Sequence, residues 1–456
     1  MAVVQACLLL LLALGAAALP VNKTDYCYAD ITDPYLKFGS KTAYEFIHPS
    51  STTEESIPNC EPVQVWMLCR HGTRFPKKST IKKLRALKSF RDEIIKNHKS
   101  GDGNLCKKDL DNLKAWEFNV TNEQDMQLTS QGEKDLRDLA VRMKKKFPTL
   151  LSSAYSPELY EFRYTNTQRT QASTEKFVEG LFGSTEGVYL PPPIDDDPLI
   201  QDYSNCTRWD QEVKHNDNAT AEASEFKEGD IMNAVKKAVT KRLGFKDKLK
   251  YKKLRTMYDM CRFDKAWNVE RLSPWCAVFS EDELKVMEYY GDMHSYYEEG
   301  YGNKINVYLG CPPVQDFMER FSKLAEENVT RSQEPAGVFY FSHSTMIHMV
   351  QAQLGLHKDS EPLLDTNYNS MQYRRWNLSS MGAFTTNIEA VFFKCTEGER
   401  NRVKFYESEK PLDIEGCEKG LCSWEFINEK FSSVAEHCNL DICEKSETKS
   451  QIRTHG

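Results

Sequence analysis

Arg70, His71 and Arg74 fall within five positions of one another in the stretch MLCRHGTRFP, Met67 to Pro76. An imidazole nitrogen can attack phosphorus and carry the phosphoryl group as a covalent intermediate. Two guanidinium groups can clamp phosphoryl oxygens, because each offers planar, bidentate donors with a fixed charge. Gly72 allows the backbone a close approach to a ligand. Polar groups of this desolvation cost have no packing reason to gather behind an apolar run. A second histidine, His343, ends another apolar run in FYFSHSTM. The two stretches are expected to build one site that handles a phosphomonoester.

Side chains can converge in this way at the carboxyl edge of a sheet, where ligands bind in open α/β folds. PVQVWMLC, Pro62–Cys69, is a short run of β formers bounded by Pro62 and a polar loop, and reads as a buried strand. Helical patterns follow at Thr80–Lys99 and Ser130–Phe147. YEFRYTN reads as a strand, and QRTQASTEKFVEGLF as a helix with Phe177, Leu181 and Phe182 on one side. LPPPIDDDP, Leu190–Pro198, is a proline-rich surface connection. From Cys206 to Pro335 strand signals are scarce. Ile231, Val235, Val239 and Leu243 recur at helical spacing, and Ser280 with Glu283 forms a capping box. Strands return at AGVFYFS, IEAVFFK and RVKFYE, with a helix over TMIHMVQAQLG. The expected architecture is α/β with an inserted helical block. Residues 19–205 and 336–456 form the α/β part, and 206–335 the insertion.

RHGTRFP resembles the active-site motif of the histidine acid phosphatases. CEPVQ, TQRTQASTEKFVEGLF, SPWCAVFSEDELKVMEYYGDMHSYYEEGYG and FSHST narrow the resemblance to the multiple inositol polyphosphate phosphatases, relatives of the histidine-type phytases. The likeness runs from about Cys60 to Cys395. It implies a phosphoglycerate-mutase-like α/β domain capped by helices, and hydrolysis of a small phosphomonoester through a phosphohistidine, without a metal or other cofactor. By the same resemblance His71 is the nucleophile, Arg70, Arg74 and Arg169 bind phosphate, and His343 donates to the phosphoryl oxygens. One position departs from the pattern. The family follows its second histidine with an acid that protonates the leaving oxygen, as His-Asp or His-Ala-Glu. Here Ser344 and Thr345 occupy those places. Neither hydroxyl suits proton donation near neutrality, and losing a general acid typically costs about 10²–10⁴ in rate. A water ordered by Ser344 or Thr345, or a protonated phosphate of the substrate, are the expected substitutes, and His348 reads as a helix-face histidine. The preferred reading is an enzyme with weakened leaving-group departure. The alternative is an impaired relative that binds an anionic phosphate ligand. A mutase-like transferase suits the nucleophile but not the secretory features.

Those features start at residue 1. MAVVQACLLLLLALGAAALP reads as a signal peptide cleaved near Ala18, so residues 1–18 are expected to be removed. No later segment is apolar and long enough to span a membrane. Sequons at Asn22, Asn119, Asn205, Asn218, Asn328 and Asn377 fit a glycosylated surface, in a secreted or endoplasmic reticulum lumen protein. Of 14 cysteines, one leaves with the signal peptide, and the odd number that remains predicts disulfides plus at least one free thiol. Cys69, inside the apolar run, is the expected buried free cysteine. Cys417 with Cys422 and Cys438 with Cys443 are close enough for local loops, and Cys261 with Cys276 for a longer one. The net charge of −7 argues against a general nucleic-acid partner, while a local basic cleft can still take an anionic small molecule.

Overall fold

In β1 (Cys60–Arg70), residues Val65 to Arg70 are all buried, and their side chains divide between two cores. Trp66 and Leu68 enter one hydrophobic cluster; Val65, Met67 and Cys69 enter another. That is the period-two alternation of a strand covered on both faces. The computed structural model describes residues 26–151, 154–326, 334–412, 414–417 and 419–444. The signal-peptide segment and the sequons at Asn22 and Asn328 lie outside them.

β1 is central in a sheet ordered β2 (Tyr160–Tyr164), β3 (Gly337–Ser342), β1, β4 (Asn387–Cys395), β5 (Asn401–Glu407) and β6 (Lys410–Pro411), with β7 (Leu421–Ser423) also on β5. β2, β3 and β1 run parallel, while β4 is antiparallel to β1. The helices Ser130–Lys146 and Gln168–Phe182 cover one face with Leu136, Leu139, Phe177 and Leu181. Cys311–Ala325, Ser344–Gln353 and Trp424–His437 cover the other with Phe317, Phe321, Ile347 and Ile427.

A third cluster is mainly helical. It joins Val235 and Val239 of Asp230–Arg242, Met257 of Tyr251–Trp267 and Met287 of Glu281–Glu299. Ser280 starts the last of these with a reciprocal capping box to Glu283, as its spacing predicts. Packing draws the boundaries differently from the sequence pattern. Leu84, Phe90 and Leu113, from helices before residue 206, belong to the helical cluster. The helix Cys311–Ala325 belongs to the sheet. The single helix expected over Thr80–Lys99 is two, Lys78–Arg85 and Leu87–Lys99, joined at Ala86.

Six disulfides join Cys27–Cys106, Cys60–Cys395, Cys206–Cys443, Cys261–Cys276, Cys311–Cys438 and Cys417–Cys422, and Cys69 is free and buried. The local Cys438–Cys443 loop is therefore incorrect. The helix Trp424–His437 lies along Cys311–Ala325, and Gln315 Nε2 donates to the Ala435 carbonyl at 2.8 Å. This contact brings Cys438 to Cys311, and the following turn carries Cys443 to Cys206. Asn119, Asn205 and Asn218 are exposed, as glycan acceptors must be. Asn377 is half-buried, with its amide donating to Glu288 Oε1 at 3.1 Å. Four of the bridges close loops of more than 75 residues, and a native bridge typically contributes about 2–5 kcal/mol. Full reduction is expected to lower the melting temperature by roughly 10 °C or more, read by calorimetry with and without reductant.

Candidate active site

The parallel register sets Arg70 beside Ser342 and Tyr164 beside Phe341. The residues that follow these strands, His71, His343 and Thr165, therefore emerge at one sheet edge. The His71 amide donates to the Ser342 carbonyl at 3.0 Å, and the two imidazole centroids are 5.6 Å apart. The two distant histidine stretches thus meet.

The loop after β1 is fixed by close backbone contacts. Gly72 N donates to Ser173 Oγ at 3.1 Å, and Ser173 Oγ donates to the Arg169 carbonyl at 2.6 Å. Thr129 N and Oγ1 both donate to the Thr73 carbonyl at 2.9 Å. Thr73 Oγ1 reaches Asp135 Oδ2 at 3.3 Å, and burial raises the Asp135 carboxyl to about 7 despite this bond and one from Gln131. Gly132 sits so close that a Cβ on it would lie 2.3 Å from the Thr73 carbonyl oxygen. Gly132→Ala must therefore displace the loop that carries His71. We expect a loss of about 1–3 kcal/mol of stability and at least tenfold in kcat, checked by thermal melts and steady-state kinetics on the same preparation.

Arg169 lies in the first turn of Gln168–Phe182, whose N-cap Thr167 accepts from Thr170 N. Its Nη2 donates to His343 Nδ1 at 3.2 Å, so the other ring nitrogen, Nε2, donates to Thr165 Oγ1 at 3.0 Å. Arg70 is buried, gives Nη1 to the Ser40 and Gly382 carbonyls at 2.8 and 2.6 Å, and lies 4.6 Å over the Phe384 ring. Arg74 Nη1 donates to the Phe75 carbonyl at 2.8 Å. The Nε atoms of Arg70, Arg74 and Arg169 are all buried and have no hydrogen-bond partner among the described residues. Buried donors in that condition demand an acceptor.

Crowded positive charge governs the titration of the site. Burial, then Arg70, Arg169 and Arg74, push His71 well below the usual imidazole range. Burial and the same arginines do so to His343. Burial and mutual repulsion bring Arg70 and Arg74 each to about 9, and burial lowers Arg169. Lys41, half-buried, joins the group and is also depressed, by burial first and then Arg70, Arg74 and Arg262. His71 Nδ1–H donates to the Gly72 carbonyl at 2.8 Å, which leaves the Nε2 lone pair unprotonated. The arrangement can therefore attack an electrophile with a neutral imidazole while binding a dianion.

Beside it opens a cavity of 820 Å³, lined by Lys41, Lys77, Lys83, Arg255, Arg262 and Ser344 among others. Ser344 and Thr345 begin the helix Ser344–Gln353 directly after His343. Thr345 Oγ1 donates to Glu299 Oε1 at 2.6 Å, and His348 Nδ1 meets Glu299 Oε2 at 2.6 Å. His348, on the face of that helix, is buried at 1% exposure. Sequence reasoning missed Lys41, Thr165, Arg262 and Glu299. Only for Glu299 was there a signal, the missing carboxyl group after His343.

The family model described as histidine phosphatase superfamily (branch 2) matches residues 63–407. Multiple inositol polyphosphate phosphatase 1 of Drosophila melanogaster is 35% identical over 440 residues, 94% of this chain and 92% of its own length. The human protein of the same name is 28% identical over 453 residues, 92% of this chain and 91% of that one. Among solved structures, a Bifidobacterium longum multiple inositol polyphosphate phosphatase complexed with inositol hexasulfate superimposes with a TM-score of 0.67 at 15% identity, covering 88% of this chain and 98% of that one. The phytase from D. castellii gives 0.67 at 16% identity, covering 91% of each. With a matching family pattern over most of its length and a converged histidine and arginine site, the chain belongs to the histidine phosphatase superfamily (branch 2) and is a phosphatase.

Proposed function

We propose that the protein hydrolyses inositol polyphosphates through a phosphohistidine on His71, in the endoplasmic reticulum lumen or outside the cell. The observation that carries the mechanism is the pairing of an unprotonated His71 Nε2 with three arginines whose buried Nε atoms lack protein acceptors. A phosphoryl dianion set among them satisfies those donors and presents phosphorus to the imidazole. It also supplies the negative charge that a protonated His343 needs to donate to a phosphoryl oxygen. The same charges stabilise the transferring group as its bonds rearrange. The basic cavity lined by Lys41, Lys77, Lys83, Arg255 and Arg262 gives the remaining phosphates of a polyphosphorylated ring their partners. The relatives' names supply the inositol ring. Six disulfides among the described residues support an oxidising compartment.

The test is phosphate release from inositol hexakisphosphate by the purified protein across pH 3–10. Because His71 titrates well below 6.5, kcat/KM is expected to show no loss at the ordinary imidazole value of 6.5 and to fall only at lower pH, where the imidazole gains its proton. A second decline is expected above about 9, as Arg70 and Arg74 lose charge. No release at any pH would remove this reading and leave a phosphate-ligand binder.

A further inference from the structure

The site described so far holds a nucleophile and a phosphate clamp but no group on Ser344 or Thr345 able to protonate the departing oxygen. The helical layer brings one. Glu299 ends the helix Glu281–Glu299, and its carboxylate bridges two residues of the helix that follows His343. Oε1 accepts from Thr345 Oγ1 at 2.6 Å, and Oε2 meets His348 Nδ1 at 2.6 Å. Ser295 Oγ completes the group, 3.1 Å from both Glu299 Oε2 and His348 Nδ1. Glu299 and His348 line the cationic cavity together with Ser344 and Lys41. After burial, Glu299 has the largest influence on the charge of Arg70, which places the carboxylate in the electrostatic field of the phosphate clamp.

His348 is built in as a partner of Glu299. Its ring fits because residue 382 is glycine: a Cβ there would lie 2.5 Å from His348 Nε2. The Trp376 ring packs at 6.0 Å between centroids. Nε2 is buried without a hydrogen-bond partner among the described residues, where the ring's polar contacts are with Glu299 and Ser295. A carboxylate and an imidazole at this distance share one proton that neither holds alone. Burial raises the Glu299 carboxyl, but the His348 charge and the bonds from His348, Thr345 and Ser295 outweigh it and hold it low. The other titratable groups around the pair are Arg70, Tyr203, and His294 with Glu298, which meet each other at 3.0 Å.

We propose that Glu299, with His348 as its proton store, is the general acid of this phosphatase, displaced from the segment after His343 to the end of a helix in the helical layer. The proposal rests on the phosphohistidine reading of His71. His71 Nε2 forms its bond to phosphorus as the bond from phosphorus to the substrate oxygen breaks. The departing oxygen takes the proton from Glu299, which draws it from His348 Nδ1, and the alcohol leaves. A water then forms its bond to phosphorus as the bond from phosphorus to His71 Nε2 breaks, and it returns one proton to the Glu299–His348 pair. Inorganic phosphate departs, and His71 is again a neutral imidazole. Thr345 orients the Glu299 carboxylate and exchanges no proton.

Two measurements of phosphoenzyme formation test this, both by rapid quench. In the native protein, the rate across phosphomonoesters from 4-nitrophenyl to alkyl and inositol phosphates should change little with leaving-group basicity, because the oxygen leaves protonated. A steep decline toward alkyl esters overturns the proposal and needs no variant. In Glu299→Gln, formation from inositol hexakisphosphate should fall by about 10²–10⁴ while formation from 4-nitrophenyl phosphate falls less than about tenfold. Adding Thr345→Glu to that variant should recover at least tenfold on the inositol substrate. Equal losses on both substrates, or no loss on either, overturn it. A native protein that forms no phosphohistidine even from 4-nitrophenyl phosphate instead refutes the nucleophile assignment, which keeps the two failures apart.

Discussion

His71→Ala is expected to lower kcat for every phosphomonoester by about 10⁶-fold, the order seen when a covalent enzyme loses its nucleophile. The other groups of the site bind the phosphoryl dianion but cannot take it over. Arg70 and Arg74 keep their protons below about 9. His343 Nδ1 faces Arg169, and its Nε2 faces Thr165. An acid-labile label from a radioactive phosphomonoester should appear in the native protein after rapid quench and be absent from the variant. The variant should still bind inorganic phosphate, because Arg70, Arg74 and Arg169 are unchanged. A label that persists in His71→Ala would move the nucleophile elsewhere.

Arg70→Lys should be strongly damaging, although it keeps the charge. The guanidinium serves three neighbours at once. It donates to the Ser40 and Gly382 carbonyls, stacks on Phe384, and keeps Nε without a protein partner. An ammonium at the end of a flexible stem cannot span two carbonyls and a phosphoryl oxygen together. Loss of one preorganised donor costs about 10²–10³ in kcat, and loss of an arginine aimed at a transferring phosphoryl group about 10³–10⁵. Arg70→Lys should fall in the first range and Arg70→Ala in the second, with KM for the inositol substrate changing less than kcat. Equal kcat in Arg70→Lys and the native protein would mean that charge alone matters at this position.

The strand and helix pattern that positions the site was readable because each element is locally consistent. Val65 to Cys69 alternate between two cores, and Gln168–Phe182 begins at a threonine cap and ends at Gly183 with φ of 82°. The R-H-G-x-R cluster was readable because its polar groups directly follow a buried strand. Groups brought in by tertiary packing were not. Lys41 and Arg262 sit on segments whose own patterns describe only a short turn and an amphipathic helix. Glu299 lies 228 positions beyond His71 and resembles a solvated helix end in YYEEGYG, until the helical layer folds it against Thr345. His348 reads only as a helix-face histidine because what packs on its face, Trp376 and Gly382, follows it in the chain. The Cys438 and Cys443 pairing failed for a related reason. Short sequence separation permits a loop, but helix packing decided which sulfurs met.

The Cys60–Cys395 bridge fastens the two ends of the paired strands β1 and β4, and His71, Arg169 and His343 all lie between its cysteines. A protease that cuts the chain once anywhere between these cysteines therefore leaves two fragments that remain covalently joined. The exposed stretch around Tyr189 and Ile194 is the natural place for such a cut, at 64% and 47% exposure. It separates Arg169 from His343 in sequence but not in space, because strand pairing and the bridge still hold both sides. Nicked protein should migrate at full mass without reductant and as two bands with it, and should keep its turnover in the first state. For an enzyme working among peptidases, the covalent ring lets the working life of the site outlast the continuity of its backbone.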